Sequence, residues 1–235
     1  MLFPGPLKNI MRGSRGGQSA GEKSGGVAGG PVSKQPGGAQ KFTTTTRPSR
    51  GIEEFFNSIR DQSGLTILDL GSASQQNVSF ITNLGHRLYA EDFLRLLNES
   101  FGADDLAAQS NSGGIDYFLS QALNYPESHF DGVLIWDVLE YLAPALLAAV
   151  VERLMKIARP KGYMLAFFHS DDKLESVPFY TFRIQDMNSL QVAQTRTRKP
   201  AQLFNNRSLE KLFGKFDSVK FFLTRERLRE VIVKA

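Results

Sequence analysis

Apolar positions along the chain follow two spacings in turn. Ile52, Phe55, Phe56 and Ile59 recur at i, i+3, i+4 and i+7, the pattern of one helical face, with Ser49 placed to cap the start and Gly64 to end it. That face predicts a lid on the edge of a sheet. Leu65 to Leu70 is a short apolar run, which predicts a strand buried on both faces. The small residues Gly71 to Ser74 then allow a sharp turn, and Val78 to Ile81 opens a helix that stops at Gly85. His86 to Asp92 predicts a second strand ending in two acids, and Phe93, Leu94, Leu96, Leu97 and Phe101 a further helix. Asp104 to Gly114 is polar and loop-like, and Ile115 to Leu123 fits either a third strand or a short helix.

The alternation resumes with Phe130 to Asp137, a strand that is apolar through its middle. It runs into a helical turn at Val138 to Leu142. Pro144 suits a first helical turn, and an amphipathic helix covers Leu146 to Ala158 before Arg159-Pro160-Lys161-Gly162. Tyr163 to His169 is another buried strand. Strands that alternate with helices predict a parallel sheet with right-handed crossovers. After residue 170 the order changes. Phe179 to Ile184 and Leu190 to Ala193 flank the turn residues Asp186 to Ser189 and predict a β-hairpin insert. Arg207 to Phe213 predicts a short helix. Ser218 to Thr224 and Arg229 to Val233 are joined by only a few residues, which forces an antiparallel pair. The fold class is therefore α/β: a doubly wound, Rossmann-like, mostly parallel sheet ending in an antiparallel hairpin, with a hairpin insert.

Composition divides the 235 residues at about position 48. Residues 1–48 hold 11 of the 21 glycines and almost no periodic apolar residues, which predicts a disordered tail ahead of one domain over 49–235. Seven Lys and Arg in that tail face a single acid, Glu22, whereas the remainder carries 21 basic and 23 acidic residues. The net charge of +4 thus belongs to the tail, whose simplest use is as a solubilising segment. A chain without cysteine has no disulfide, thiolate metal site or cysteine nucleophile. No apolar run reaches the roughly 18 residues of a membrane span, so a cytoplasmic location is expected. Oligomeric state leaves no mark in the sequence.

Four stretches together carry a resemblance: Ile67-Leu68-Asp69-Leu70-Gly71; the acids Glu91-Asp92; Phe130-Asp131-Gly132-Val133-Leu134 running into Asp137-Val138-Leu139-Glu140-Tyr141-Leu142; and Arg159-Pro160-Lys161-Gly162. In this order the chain, from about residue 50 to 235, resembles the class I S-adenosylmethionine-dependent methyltransferases. Leu123, Tyr125 and Pro126 match the family's approach to the Phe-Asp pair. The resemblance implies S-adenosyl-L-methionine as cofactor, held by Asp69, Gly71, Ser72 and Ala73, by Glu91 or Asp92 on the ribose hydroxyls, and by Trp136. That cofactor has no phosphate, so it needs a close backbone turn and a carboxylate acceptor rather than a phosphate cradle. The family's turn carries glycines where this chain has Ala73 and Gln75. Its adenine-side acid has no match, since Leu119 falls there and Asp116 is the nearest acid.

Asp137 and His169 end strands on the ligand side and are the candidate catalytic groups. For each there is a plainer role: helix cap for Asp137, structural imidazole for His169. His86 and His129 are weaker candidates. Tyr180 and Arg183 on the insert are the candidate substrate-binding residues, with Phe179 and Phe182 as further apolar walls. Three functions compete. The first is methyl transfer to an unidentified, small-molecule acceptor. The second is a non-catalytic binding module that keeps the fold with a degenerate cofactor site. The third, a nicotinamide-dependent oxidoreductase, fits poorly because Ser72 to Gln76 lacks the glycines a pyrophosphate requires. Nucleic acid is not the expected partner: no Asn/Asp-Pro-Pro-aromatic run follows the fourth strand, which argues against methylation of the adenine amine in DNA, and no cysteine is present for covalent attack on a pyrimidine carbon. The basic residues Arg196, Arg198, Lys199, Arg207, Lys211 and Lys215 read more simply as a solvated face. No cluster of His or Cys predicts a metal.

Overall fold

The computed structural model describes residues 44–171, 173–224 and 228–235. In chain order the elements are β1 (Thr44–Pro48), α1 (Arg50–Ile59), β2 (Thr66–Asp69), α2 (Gln75–Asn83), β3 (Arg87–Ala90), α3 (Phe93–Phe101), α4 (Ser112–Ala122), β4 (Phe130–Trp136), α5 (Pro144–Ile157), β5 (Ala158–His169), β6 (Val177–Asp186), β7 (Ser189–Arg198), α6 (Asn206–Leu212), β8 (Ser218–Leu223) and β9 (Leu228–Lys234), with single 3-10 turns at Ala108–Ser110 and Val138–Tyr141. The main sheet has six strands in the order β3-β2-β4-β5-β9-β8. Its first four strands are parallel, and β9 joins β5 and β8 antiparallel. This is the doubly wound, Rossmann-like sheet with an antiparallel end that the alternation predicts.

The inner strands β2, β4, β5 and β9 bury both faces over most of their length, while the edge strands β3 and β8 stay partly exposed, and the period of two sorts the side chains between two cores. Leu68, Val133, Ile135, Met164, Ala166, Phe168, Val231 and Val233 face α3, α4, α5 and α6. Ile67, Leu134, Trp136, Leu165, Phe167 and Ile232 face α1, α2 and the insert. Helix α1 starts where the Ser49 side chain accepts from Ile52 N–H at 3.1 Å. It lies across a face of the sheet rather than on its edge, as expected for a stripe as wide as Ile52, Phe55, Phe56 and Ile59. A Cβ at Gly132 would fall 2.6 Å from the Phe55 ring, so glycine there lets helix and strand approach.

Of the two alternatives the sequence left open for Ile115 to Leu123, the helix is found: Ile115 to Ala122 lies within α4, with Ile115, Phe118 and Ala122 as its buried face, Asn111 as its N-cap and Leu123 as its C-cap. The main sheet therefore has no strand beyond β3. Two boundaries differ from the sequence reading. The insert is longer than the alternating residues suggest, with β6 and β7 of ten residues each. Thr44–Pro48, assigned to the tail by composition, is strand β1, which pairs antiparallel with β7 and makes the insert a three-stranded sheet β1-β7-β6. Residues 1–43 and the connection at 225–227 lie outside the described residues.

Strand β1 is held by a buried charge pair. Arg47 lies 3.7 Å from Glu230 Oε1 and donates to the Thr224 hydroxyl at 3.1 Å. The other Glu230 oxygen accepts from Gly51 N–H at 2.6 Å and the Ser49 hydroxyl at 3.0 Å. Removing one partner of a buried pair costs about 3–5 kcal/mol. Truncation after residue 48 is therefore expected to lower Tm by at least about 6 °C relative to truncation after residue 43. Thermal unfolding of the two truncated chains checks this, and equal Tm values would show that β1 contributes nothing.

Candidate functional site

The strand order reverses between β2 and β4: the chain leaves β2 for β3 on one side and returns to β4 on the other. Side chains cannot fill the crevice beyond the carboxyl ends of two strands that diverge in this way, so ligands bind there in doubly wound sheets. A cleft of about 550 Å³ occupies this position. Its floor is Gly71 to Ser74 after β2 and Trp136 to Val138 after β4. One wall is α3, with Asp92, Arg95, Asn98 and Glu99, and the other is the insert, with Phe179 to Arg183 and Arg196.

The floor is organised by Asp69, which is buried at the end of β2. Its Oδ1 accepts from Gly71 N–H at 2.8 Å and from Trp136 Nε1–H at 2.6 Å, and its Oδ2 from Asn77 Nδ2–H at 3.1 Å. Burial raises its pKa and the three donors oppose the rise. With both oxygens committed, Asp69 shapes the turn from behind instead of lining the cleft. Trp136 has φ of +59°, a left-handed conformation rare for a bulky residue. The hydrogen bond to Asp69 holds it, as does the stack of its indole on Phe182, with centroids 5.2 Å apart and planes 5° from parallel. The indole also dictates Gly71, since a Cβ there would come within 3.0 Å of the ring. Ala73 and Gln75 need no glycine: neither has positive φ. Gln75 begins α2 and bonds the Ser79 hydroxyl at 3.1 Å, while Ser74 caps the helix by accepting from Asn77 N–H.

The two acids after β3 part company. Glu91 takes the Tyr125 hydroxyl in a short hydrogen bond that, with burial, raises the tyrosine pKa, and it stays out of the cleft. Asp92 faces the cleft and caps α3 through Arg95 N–H at 3.2 Å. Asp116 is exposed and Leu119 packs against the core of α4, so neither reaches the cleft.

Asp137 lines the cleft floor although it is almost wholly buried. It accepts from the Tyr180 backbone, and its carboxyl is pushed up to about 7, first by burial and then by the neighbouring Glu140 charge. His169 lies deeper. Its N–H and its Nδ1 meet the two oxygens of the buried Glu140 at 2.7 and 2.6 Å, and its ring stacks on Tyr180 with centroids 5.9 Å apart. It does not line the cleft, whereas Asp137 does. Tyr180 and Arg183 both line the cleft, on the wall opposite Asp92.

The sequence reading missed Asn77, whose Oδ1 accepts from Ile184 N–H at 2.8 Å and so fastens the insert to the turn. The signal was an Asn in the buried stripe of a helix, four residues before Ile81. Gln76 adds a bond to Ile184 C=O at 3.0 Å. Arg196 was read as part of a solvated face, because nothing in its spacing marks a cleft.

No family model matches the chain, and no curated protein sequence does. Among solved structures, a methyltransferase of Archaeoglobus fulgidus described as S-adenosylmethionine dependent overlaps 78% of this chain and 91% of its own, at 14% identity and a TM-score of 0.44. The 1,6-didemethyltoxoflavin-N1-methyltransferase of Burkholderia thailandensis, with bound 1,6-didemethyltoxoflavin and S-adenosylhomocysteine, overlaps 79% of this chain and 76% of its own, at 14% identity and a TM-score of 0.43. Likeness at this level carries no argument about activity. The chemistry has to be read from the cleft.

Because Asp137 is protonated in the folded protein and ionised in the unfolded chain between about pH 4 and pH 7, folding stability falls as pH rises through that window and levels off above it. Asp137→Asn removes this loss. Chemical unfolding across pH is expected to show the variant gaining on the parent from pH 4 to 7 and no further above; parallel curves would mean that Asp137 stays ionised in the fold.

Proposed function

We propose that the cleft binds S-adenosyl-L-methionine and that the protein is a methyltransferase with a small-molecule acceptor. The observation that carries this reading is a cleft at the strand-order reversal whose lining includes a close backbone turn, Gly71 to Ser74, and the carboxylate of Asp92, the N-cap of α3 just after β3. The resemblance carried by residues 67–71, 91–92, 130–142 and 159–162 supports it, as does the antiparallel end of the sheet. The residues present fit the cofactor. Asp92 would accept from the ribose diol, and the turn's backbone and hydroxyls would take the amino-acid end. When bound, the cofactor supplies an electrophilic methyl group on a sulfonium.

The chain's own residues then align and shield. A methyl transfer is an in-line displacement, in which holding two partners in register and excluding water supplies much of the rate. The Trp136–Phe182 stack gives the cleft an apolar aromatic lining. Asp137, near half protonated at neutral pH, is suited to hold a proton released by a hydroxyl or amine acceptor, because a general base works best with a pKa close to the working pH. The departures from the family's glycine turn, at Ala73 and Gln75, favour a second reading, a non-catalytic binding module with a degenerate cofactor site. Absence of S-adenosylmethionine binding by the folded chain would support it.

Calorimetric titration with S-adenosylmethionine and S-adenosylhomocysteine tests the proposal. Both are expected to bind. Asp92→Ala is expected to weaken binding about tenfold or more, since hydrogen bonds to a charged group contribute about 1.5–3 kcal/mol. Glu91→Ala, which breaks only the link to Tyr125, should leave the affinity close to that of the parent. Absence of binding by the parent chain, or equal and negligible effects of both substitutions, would remove the cofactor from this cleft.

A further inference from the structure

The charges around the cleft are unevenly satisfied. On the α3 wall, Arg95 sits between two acids: its Nη1 meets both Glu99 oxygens at 2.7 and 2.9 Å, and its Nε lies 3.8 Å from Asp92. That cation is neutralised where it stands. The insert wall has no such balance. Arg183 and Arg196 both line the cleft, both are exposed, and among the described residues neither has an acidic partner. Arg196 is held over the Phe179 ring, 4.5 Å from its centroid. Stacking of this kind restrains a guanidinium while its N–H donors remain for other partners. Phe179 and Tyr180 line the same wall; Phe179 lies directly across the ladder from Arg196, and Arg183 stands further along β6, opposite Gln191.

A cleft with carboxylates on one side and unpaired guanidinium groups on the other selects for a ligand set of matching polarity. We propose that the acceptor is an aromatic carboxylate, its carboxylate held by Arg183 and Arg196 and its ring resting against Phe179 and Tyr180. This rests on the reading of the cleft as a methyltransferase site, in which the cationic donor occupies the Asp92 side. A planar guanidinium pairs with a carboxylate through two parallel N–H···O bonds, so it recognises the shape of the group as well as its charge. Two cations on neighbouring strands of one rigid hairpin can do this without ordering a loop. The same pairing keeps the anion away from Asp137 and Asp92, which would repel it.

The test uses the full chain in calorimetric titrations of benzoate, 4-hydroxybenzoate and salicylate, each against its amide, with and without saturating S-adenosylhomocysteine. At least one acid is expected to bind about tenfold more tightly than its amide. Arg183→Gln and Arg196→Gln should each weaken the acid several-fold, and the double variant should abolish the preference, with S-adenosylhomocysteine affinity and Tm unchanged. Acid and amide binding alike, no saturation by any of the acids, a preference that survives the double substitution, or inorganic phosphate binding as tightly as the ring acids would each overturn the proposal. A retained acid preference in a chain that does not bind S-adenosylhomocysteine would instead refute the cofactor reading and leave the anion site standing.

Discussion

Everything at the carboxyl end of the sheet hangs on one buried carboxylate. Asp69 gathers the N–H of Gly71, the indole of Trp136 and the amide of Asn77. These groups belong to the turn after β2, the end of β4 and the first turn of α2. A carboxylate this deeply buried is costly unless donors surround it, and a site with three of them specifies a single arrangement of the elements that supply them. Asn77 passes the constraint on by accepting from Ile184 in the insert, and Asp137 repeats the device at the end of β4 by accepting from Tyr180. Two strand-end acids therefore do more than face a ligand. They fasten a separate antiparallel sheet over the parallel one and fix the width of the cleft between them.

The same constraint accounts for the turn's composition. Glycine is favoured at position 71 because a Cβ there would come within 3.0 Å of the Trp136 ring, and no residue of the turn from Gly71 to Ser74 takes positive φ. Ser72, Ala73 and Ser74 can thus line the cleft and cap α2 without strain. The insert supplies a second wall, rich in aromatic and basic side chains, facing the acidic end of α3. The two walls differ in charge, and that difference gives the cleft a direction.

Much of this was legible in the sequence because it is local. The strand at Leu65 to Leu70, the small-residue turn, the strand at Phe130 to Asp137 and the helix after Pro144 announce themselves by period and by punctuation. The parts that were not legible depend on partners far away in the chain. Thr44 to Pro48 has no apolar alternation, and it is a strand because β7 pairs with it and Glu230 holds Arg47. Glu91 and Asp92 are adjacent acids, and only the position of Tyr125 decides which one faces the cleft. His169 ends the expected strand on the expected side, yet Glu140 draws its imidazole inward behind Tyr180. In Ile115 to Leu123 the helical spacing of Ile115, Phe118 and Ala122 was present, but the segment was short enough for a strand to compete.

Amide hydrogen exchange of the full chain with and without S-adenosylhomocysteine addresses the central claim directly, because it reports where a ligand is felt without requiring an acceptor. A ligand seated at the strand-order reversal should slow exchange in Gly71 to Asn77 and in Asp92 to Arg95. Because the Asn77 and Asp137 bonds tie the insert to this floor, it should slow exchange in Tyr180 to Ile184 as well. Protection confined to other parts of the fold, or none at saturating ligand, would contradict the assignment of this cleft.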